Sequence, residues 1–154
     1  MFTLLIVIHV LSAILLLGPT YLYPFLPRIV DTSSVPVLKV MKQIEQNVMI
    51  FLVVQLLTGV GIIFSSHEAG LRDNFGKNWW LQLSMTLFII AAGIGSGYNT
   101  PRVRKALEAS EAGDQAAAKT FLQPVEKFTA PLLSVIMAVI VILMIWKPGQ
   151  VGLI

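Results

Sequence analysis

Four long apolar runs occupy most of this 154-residue chain, and they leave few folds open to it. They lie at Phe2 to about Phe25, about Val48 to Phe64, about Trp79 to Tyr98, and about Ala130 to Trp146. Each holds roughly 17–25 predominantly apolar residues, enough to cross about 30 Å of hydrocarbon at 1.5 Å per residue. Lipid offers no partner to a free backbone N–H or C=O, so each run must cross as continuous helix. The expected fold is all-α: an integral membrane four-helix up-down bundle, a single domain over residues 1–154.

Composition agrees. Charged residues make up 12% of the chain, against about 25% in a typical soluble domain, and mean hydropathy is +0.80. There is no cysteine, which excludes disulfides, thiolate metal sites, iron–sulfur clusters and covalent haem attachment but not non-covalent haem. The net charge of +3 is spread over the connections and gives no basis for a nucleic-acid partner. The N-terminal run lacks a basic leader and a small-residue cleavage site, so it reads as an uncleaved span.

The connections set the orientation. The first carries Arg28, Lys39 and Lys42, and the third carries Arg102, Arg104, Lys105, Lys119 and Lys127. The second connection and the C-terminus hold only Arg72, Lys77 and Lys147. The positive-inside rule then predicts connections one and three in the cytoplasm and both termini outside, in a bacterial cytoplasmic membrane. Trp79, Trp80 and Trp146 are expected at the outer interface, and Tyr21, Tyr23 and Tyr98 near the inner one. Helices should extend past the bilayer on the cytoplasmic side. Ser34 and Pro36 mark a start that runs into the second span. VRKALEASEA continues the third span until Gly113, and Asp114 caps a short helix that Pro124 interrupts.

Polar and small residues recur at helical spacing within the spans. His9, Ser12, Leu16, Thr20 and Tyr23 share one face of the first, and Gln55, Thr58, Gly59, Ile62 and Ser66 one face of the second. Gln82, Thr86, Gly93 and Gly97 align on the third, and Ser134, Met137, Val141 and Met144 on the fourth. These stripes should turn inward, and the Gly93/Gly97 pair should let a neighbouring helix approach. Gly18-Pro19 predicts a kink late in the first span.

His9 is the one strongly ionisable side chain deep in an apolar run, and such a group marks a functional site by default. It lies about 12 Å down the first helix. Three roles are open to it: a histidine hydrogen-bonded to Gln55 or Thr86, an axial ligand of haem b, or a proton relay or quinone contact. For haem iron, depth matching offers Met85 or Met137 as the second ligand, with Gln55 and Gln82 as hydrogen-bonding neighbours. His67 lies about two helical turns further out and reads as a helix-end residue, or as an outer-surface metal or haem-propionate contact. No HExxH, paired carboxylate within a span or phosphate-binding glycine loop supports hydrolytic chemistry, and no catalytic residue is assigned.

The segment IHVLSAILLLGPTYLYPFLPRI resembles the opening span of small bacterial four-span membrane proteins. These are an uncharacterised family of integral membrane proteins and, more distantly, the HemJ-type protoporphyrinogen oxidases and CopD copper-resistance domains. NWWLQLSMTLFIIAAG resembles the opening of their third helix. The resemblance implies that His9 corresponds to the histidine associated with haem b in the HemJ type. That type also carries a lysine in the first turns of the third span, where this chain has Gln82, Leu83 and Ser84, a departure that bears on porphyrinogen oxidation rather than on haem binding. Copper handling of the CopD kind calls for more than the two histidines present.

The leading expectation is therefore a haem-b-binding or related redox membrane protein, dimeric or part of a larger membrane complex, that exchanges electrons with quinone or a partner or handles haem. The alternatives are an accessory or structural subunit without cofactor and a small-solute transporter. The transporter is disfavoured by the lack of any Asp, Glu, Lys or Arg deep within a run.

Overall fold

The computed structural model describes residues 2–65 and 76–146. Four helices in it are long and apolar enough to cross a membrane: Phe2–Ile29, Val35–Ser65, Trp79–Glu111 and Gln115–Trp146. The chain is an all-helical, multi-pass membrane protein. Its elements are α1 (Phe2–Leu22), α2 (Leu26–Ile29), α3 (Val35–Ser65), α4 (Trp79–Ala92), α5 (Thr100–Glu111), α6 (Gln115–Pro124) and α7 (Ala130–Trp146). A 3₁₀ turn joins α1 to α2, and π-helical turns at Gly93–Asn99 and Val125–Thr129 join α4 to α5 and α6 to α7.

The helices run up and down. His9 meets Thr58 at one end of α1 while Tyr23 meets Met41 beyond the other, so α1 and α3 are antiparallel. Trp80 packs near Leu143, and Ala91 near Met137, so α4 and α7 are antiparallel too. α1 packs on α3 and α7, and α4 on α7. The outer surface is apolar, with Ile14, Leu57, Val135 and Ile145 all exposed, as lipid-facing side chains should be.

The most completely buried core lies at the end where α3 meets α5 and α6, around Leu38, Met41, Val103, Ala106, Ala118 and Leu122. This end holds both lysine- and arginine-rich connections. Beyond the lipid, water supplies the hydrophobic drive that lipid lacks, so the helix extensions close tightly there. Polar contacts pin the first connection to this core. Thr32 donates to Glu126 (2.5 Å) and Ser110 to the Ser33 carbonyl (2.7 Å). The ion pairs Lys39–Glu111 (3.2 Å) and Lys119–Asp31 (4.0 Å) are exposed and add little. Ser33 donates its hydroxyl (2.7 Å) and its N–H (3.2 Å) to Asp31.

The expected helix signals operate. α3 starts at Val35 with Pro36 in its first turn. Gly113 takes φ +86°, which ends α5, and the Asp114 carboxylate accepts from Ala117 N–H (2.9 Å) to start α6. Pro124 changes the winding rather than ending the rod, because the π-helical turn that follows carries the chain straight into α7.

Two expectations are corrected, and Glu45 takes a place that its position before the second apolar run does not announce. Trp79 and Trp146 are exposed, but Trp80 turns inward against Leu81 and Leu143, since one helical face of α4 must fill the bundle. No neighbouring helix lies against Gly93 or Gly97; the close approach is at Gly59, where an added Cβ would sit 3.2 Å from His9 Cε1. Glu45 is not a solvated side chain of a helix extension. α3 is straight enough to place it among α1, α5 and α7, within the bundle.

Candidate functional site

His9 on α1 faces a polar strip of α3. Thr58 Oγ1 donates to the Val54 carbonyl (2.7 Å), one turn back, with the Gln55 carbonyl at 3.2 Å. Its hydrogen being committed, it accepts from the imidazole, so His9 Nδ1 carries the proton (2.9 Å). Nε2 is then a lone pair, which accepts from the Gln55 amide Nε2–H (2.8 Å). Gln55 Oε1 accepts from Ser12 Oγ (2.5 Å), which also lies 2.9 Å from the His9 carbonyl. A single donor direction thus runs from Ser12 through Gln55 and His9 to Thr58 and the α3 backbone. Gly59 completes the seat: a Cβ there would sit 3.2 Å from His9 Cε1, a contact tight enough to push the ring away from α3.

Beside this chain of bonds lies a cavity of about 460 Å³, bounded by α1, α3, α4 and α7. That is within the roughly 300–1,000 Å³ of pockets that hold small organic ligands. His9, Gln55, Met85 and Met137 all line it, so four of the residues singled out in the sequence come together. Gln82 does not join them; it lies on the exposed face of α4. Thr86 is exposed as well and donates to the Gln82 carbonyl (2.9 Å), so the partners of His9 are Gln55 and Thr58 rather than Thr86. His67 and Ser66 lie outside the described residues.

Two residues of the site escaped the sequence reading. Thr58 was placed on the right stripe but not paired with the imidazole. Trp80 lines the cavity, and its buried indole Nε1–H has no hydrogen-bond partner. A buried donor left unmade costs about 1–3 kcal/mol. Tryptophan at a span boundary gives no sequence signal for this, since an interfacial ring and an inward one read alike.

The donor set fits a haem group in part. A ligating imidazole needs its Nδ1–H fixed on an oxygen, which Thr58 provides. Met85 and Met137 bring their side chains to the same cavity from two other helices. Ligation through Nε2 requires the Gln55 amide to move off that nitrogen. No lysine or arginine among the described residues lines the cavity. Among the described residues, no three His, Cys, Asp or Glu side chains gather as a metal site of their own. No family model, curated protein or solved structure matches the chain.

Proposed function

We propose that this protein binds haem b, or a related planar apolar redox group, within the bilayer, with His9 as the anchoring ligand. The observation that carries this reading is the convergence of His9, Met85 and Met137 on one apolar cavity. The group would supply one-electron exchange when bound. The chain's own residues do the rest. Thr58 holds the imidazole in the tautomer that leaves Nε2 basic, Gly59 sets the ring's depth, and the apolar walls exclude water. The resemblance of the first span to haem-associated bacterial membrane proteins points the same way. The basic connections orient the molecule with that end in the cytoplasm and both termini outside a bacterial plasma membrane.

A visible absorption spectrum of detergent-purified protein, before and after dithionite, tests the proposal. The expected result is a Soret band and a reduced α-band that His9→Ala abolishes. A colourless preparation from haem-supplied cells sinks it.

A second reading has its own support. Both ring nitrogens of His9 are satisfied within the protein, the arrangement a cofactor-free accessory subunit would show. In that case His9→Ala lowers thermal stability and changes no colour.

A further inference from the structure

Glu45 occupies a second, separate site. It lies ten residues into α3, and thirteen residues, or about 20 Å along the helix, from Thr58. A cavity of about 70 Å³ opens beside it, lined among others by Tyr23, Ser96, Asn99 and Thr100. A water needs roughly 10–15 Å³ of such space, so there is room for more than one. The carboxyl is poorly matched to its surroundings. Oε1 takes a long hydrogen bond from Tyr23 (3.5 Å), whose hydroxyl is nearer the Met41 carbonyl (3.2 Å). Oε2 is buried and has no hydrogen-bond partner. The Thr100 hydroxyl lies within hydrogen-bonding reach of the carboxyl and also 3.1 Å from the Gly95 carbonyl, so its one hydrogen is shared between the two acceptors.

Among the described residues that line this chamber with Glu45, none carries a positive charge. The turn after α1 brings Tyr23, and the π-helical turn and α5 bring the neutral Asn99 and Thr100. Ala130 and Leu133 come from α7. Of the charges on the surrounding elements, Lys42, one turn back on α3, is exposed, Arg102 stacks on Tyr98 (3.5 Å to the ring centre), and Glu126 is bonded to Thr32. A carboxylate set among helices without a cation is costly, and an added cation removes the cost. The surrounding hydroxyls are committed as donors to backbone carbonyls: Ser96 to Ala92 (2.6 Å) and Thr20 to Leu16 (2.9 Å). They do not form the oxygen cage a metal ion needs. They and water can accept the hydrogen of a carboxylic acid.

The backbone is irregular at the same place on two other helices. Pro19 removes a helical N–H from α1, and Gly93–Asn99 winds as a π-helical turn, a feature frequent at functional sites. Above the site, Leu16, Phe51, Leu52, Met137 and Ile140 form an apolar belt that separates it from His9.

We infer that Glu45 is a proton-binding site: its carboxylate takes up H⁺ to form the carboxylic acid and releases it again to water in the small chamber between α1, α3 and the π-helical turn. This is independent of whether the cavity at His9 holds a ligand. Difference infrared spectroscopy between pH steps, on the full chain in lipid nanodiscs in H₂O and D₂O, reads it directly. The expected result is one deuterium-sensitive carboxyl C=O band that titrates reversibly. Glu45→Gln should abolish the band, and Tyr23→Phe should keep it at a shifted frequency. The seven other Asp and Glu side chains also titrate, so the reading is the wild type minus Glu45→Gln: pH-difference spectra that are identical in the two overturn the inference. Loss of the band on adding Na⁺ or K⁺ at fixed pH overturns it in favour of a metal cation. Should Glu45→Gln fail to fold, Glu45→Asp decides: a band with a moved titration midpoint supports the inference, and an unchanged band overturns it.

Discussion

Gly59 and Gly61 sit two residues apart on α3 and answer the same substitution in opposite ways. A Cβ at Gly59 would press on the His9 ring at 3.2 Å, and that ring is held by hydrogen bonds on both nitrogens. A Cβ at Gly61 would meet the Leu5 methyls at 3.5 and 3.6 Å, an ordinary contact with a flexible side chain. Overpacking costs about 1–3 kcal/mol, while Gly→Ala within a helix gains about 0.5–1 kcal/mol. Gly59→Ala should therefore lower stability by about 1 kcal/mol and disturb the imidazole, and Gly61→Ala should raise it by up to about 1 kcal/mol. Thermal midpoints in detergent, with ¹⁵N imidazole shifts as the local reading, check both. His9 was legible from the sequence because an imidazole in an apolar run stands out. Glu45 was not, because it precedes the apolar run of its helix and only the covering α1, α5 and α7 bring it indoors.

At the scale of the element, local chemistry decides starts and stops. Asp114→Ala removes the oxygen that accepts from Ala117 N–H and should cost about 0.5–2 kcal/mol, read from thermal melts. The connection before α3 adds a pH dependence. Ser33 donates side-chain and backbone hydrogen bonds to Asp31, and with the nearby Lys119 they hold its carboxyl below the usual carboxylate range. A depressed carboxyl stabilises the fold above its unfolded value of about 3.9 and loses that contribution as pH falls through the lower folded value. Wild type should thus melt higher than Asp31→Asn at neutral pH, and the two should converge on acidification. Asp31 is fully exposed, so the gap should be small. Caps such as Asp114 and Gly113 are legible because the signal is one residue acting on its neighbours. The π-helical turns at Gly93–Asn99 and Val125–Thr129 are not, since their extra residue per turn answers to the packing of α3 and α7 around them.

For the whole molecule, apolar length specified four crossings and their alternating direction before any coordinate. It did not specify which helices touch. α3 meets α5 through the core at the basic end, yet it does not pack along α4 in the half that holds His9. The cavity is what remains between the two antiparallel pairs, and no stretch of sequence encodes a space. A reporter fused after Ile154 should be active only outside the cytoplasm, and cytoplasmic activity would invert the orientation. The belt of Leu16, Phe51, Leu52, Met137 and Ile140 carries a further consequence. It holds His9 and Glu45 about 20 Å apart along the helix direction, so the two stand at different depths in an applied transmembrane voltage. Moving one elementary charge through the whole drop is worth about 2.3 kcal/mol per 100 mV. A change of charge at His9 and one at Glu45 are therefore felt at different electrical heights, and an energised membrane weighs them unequally.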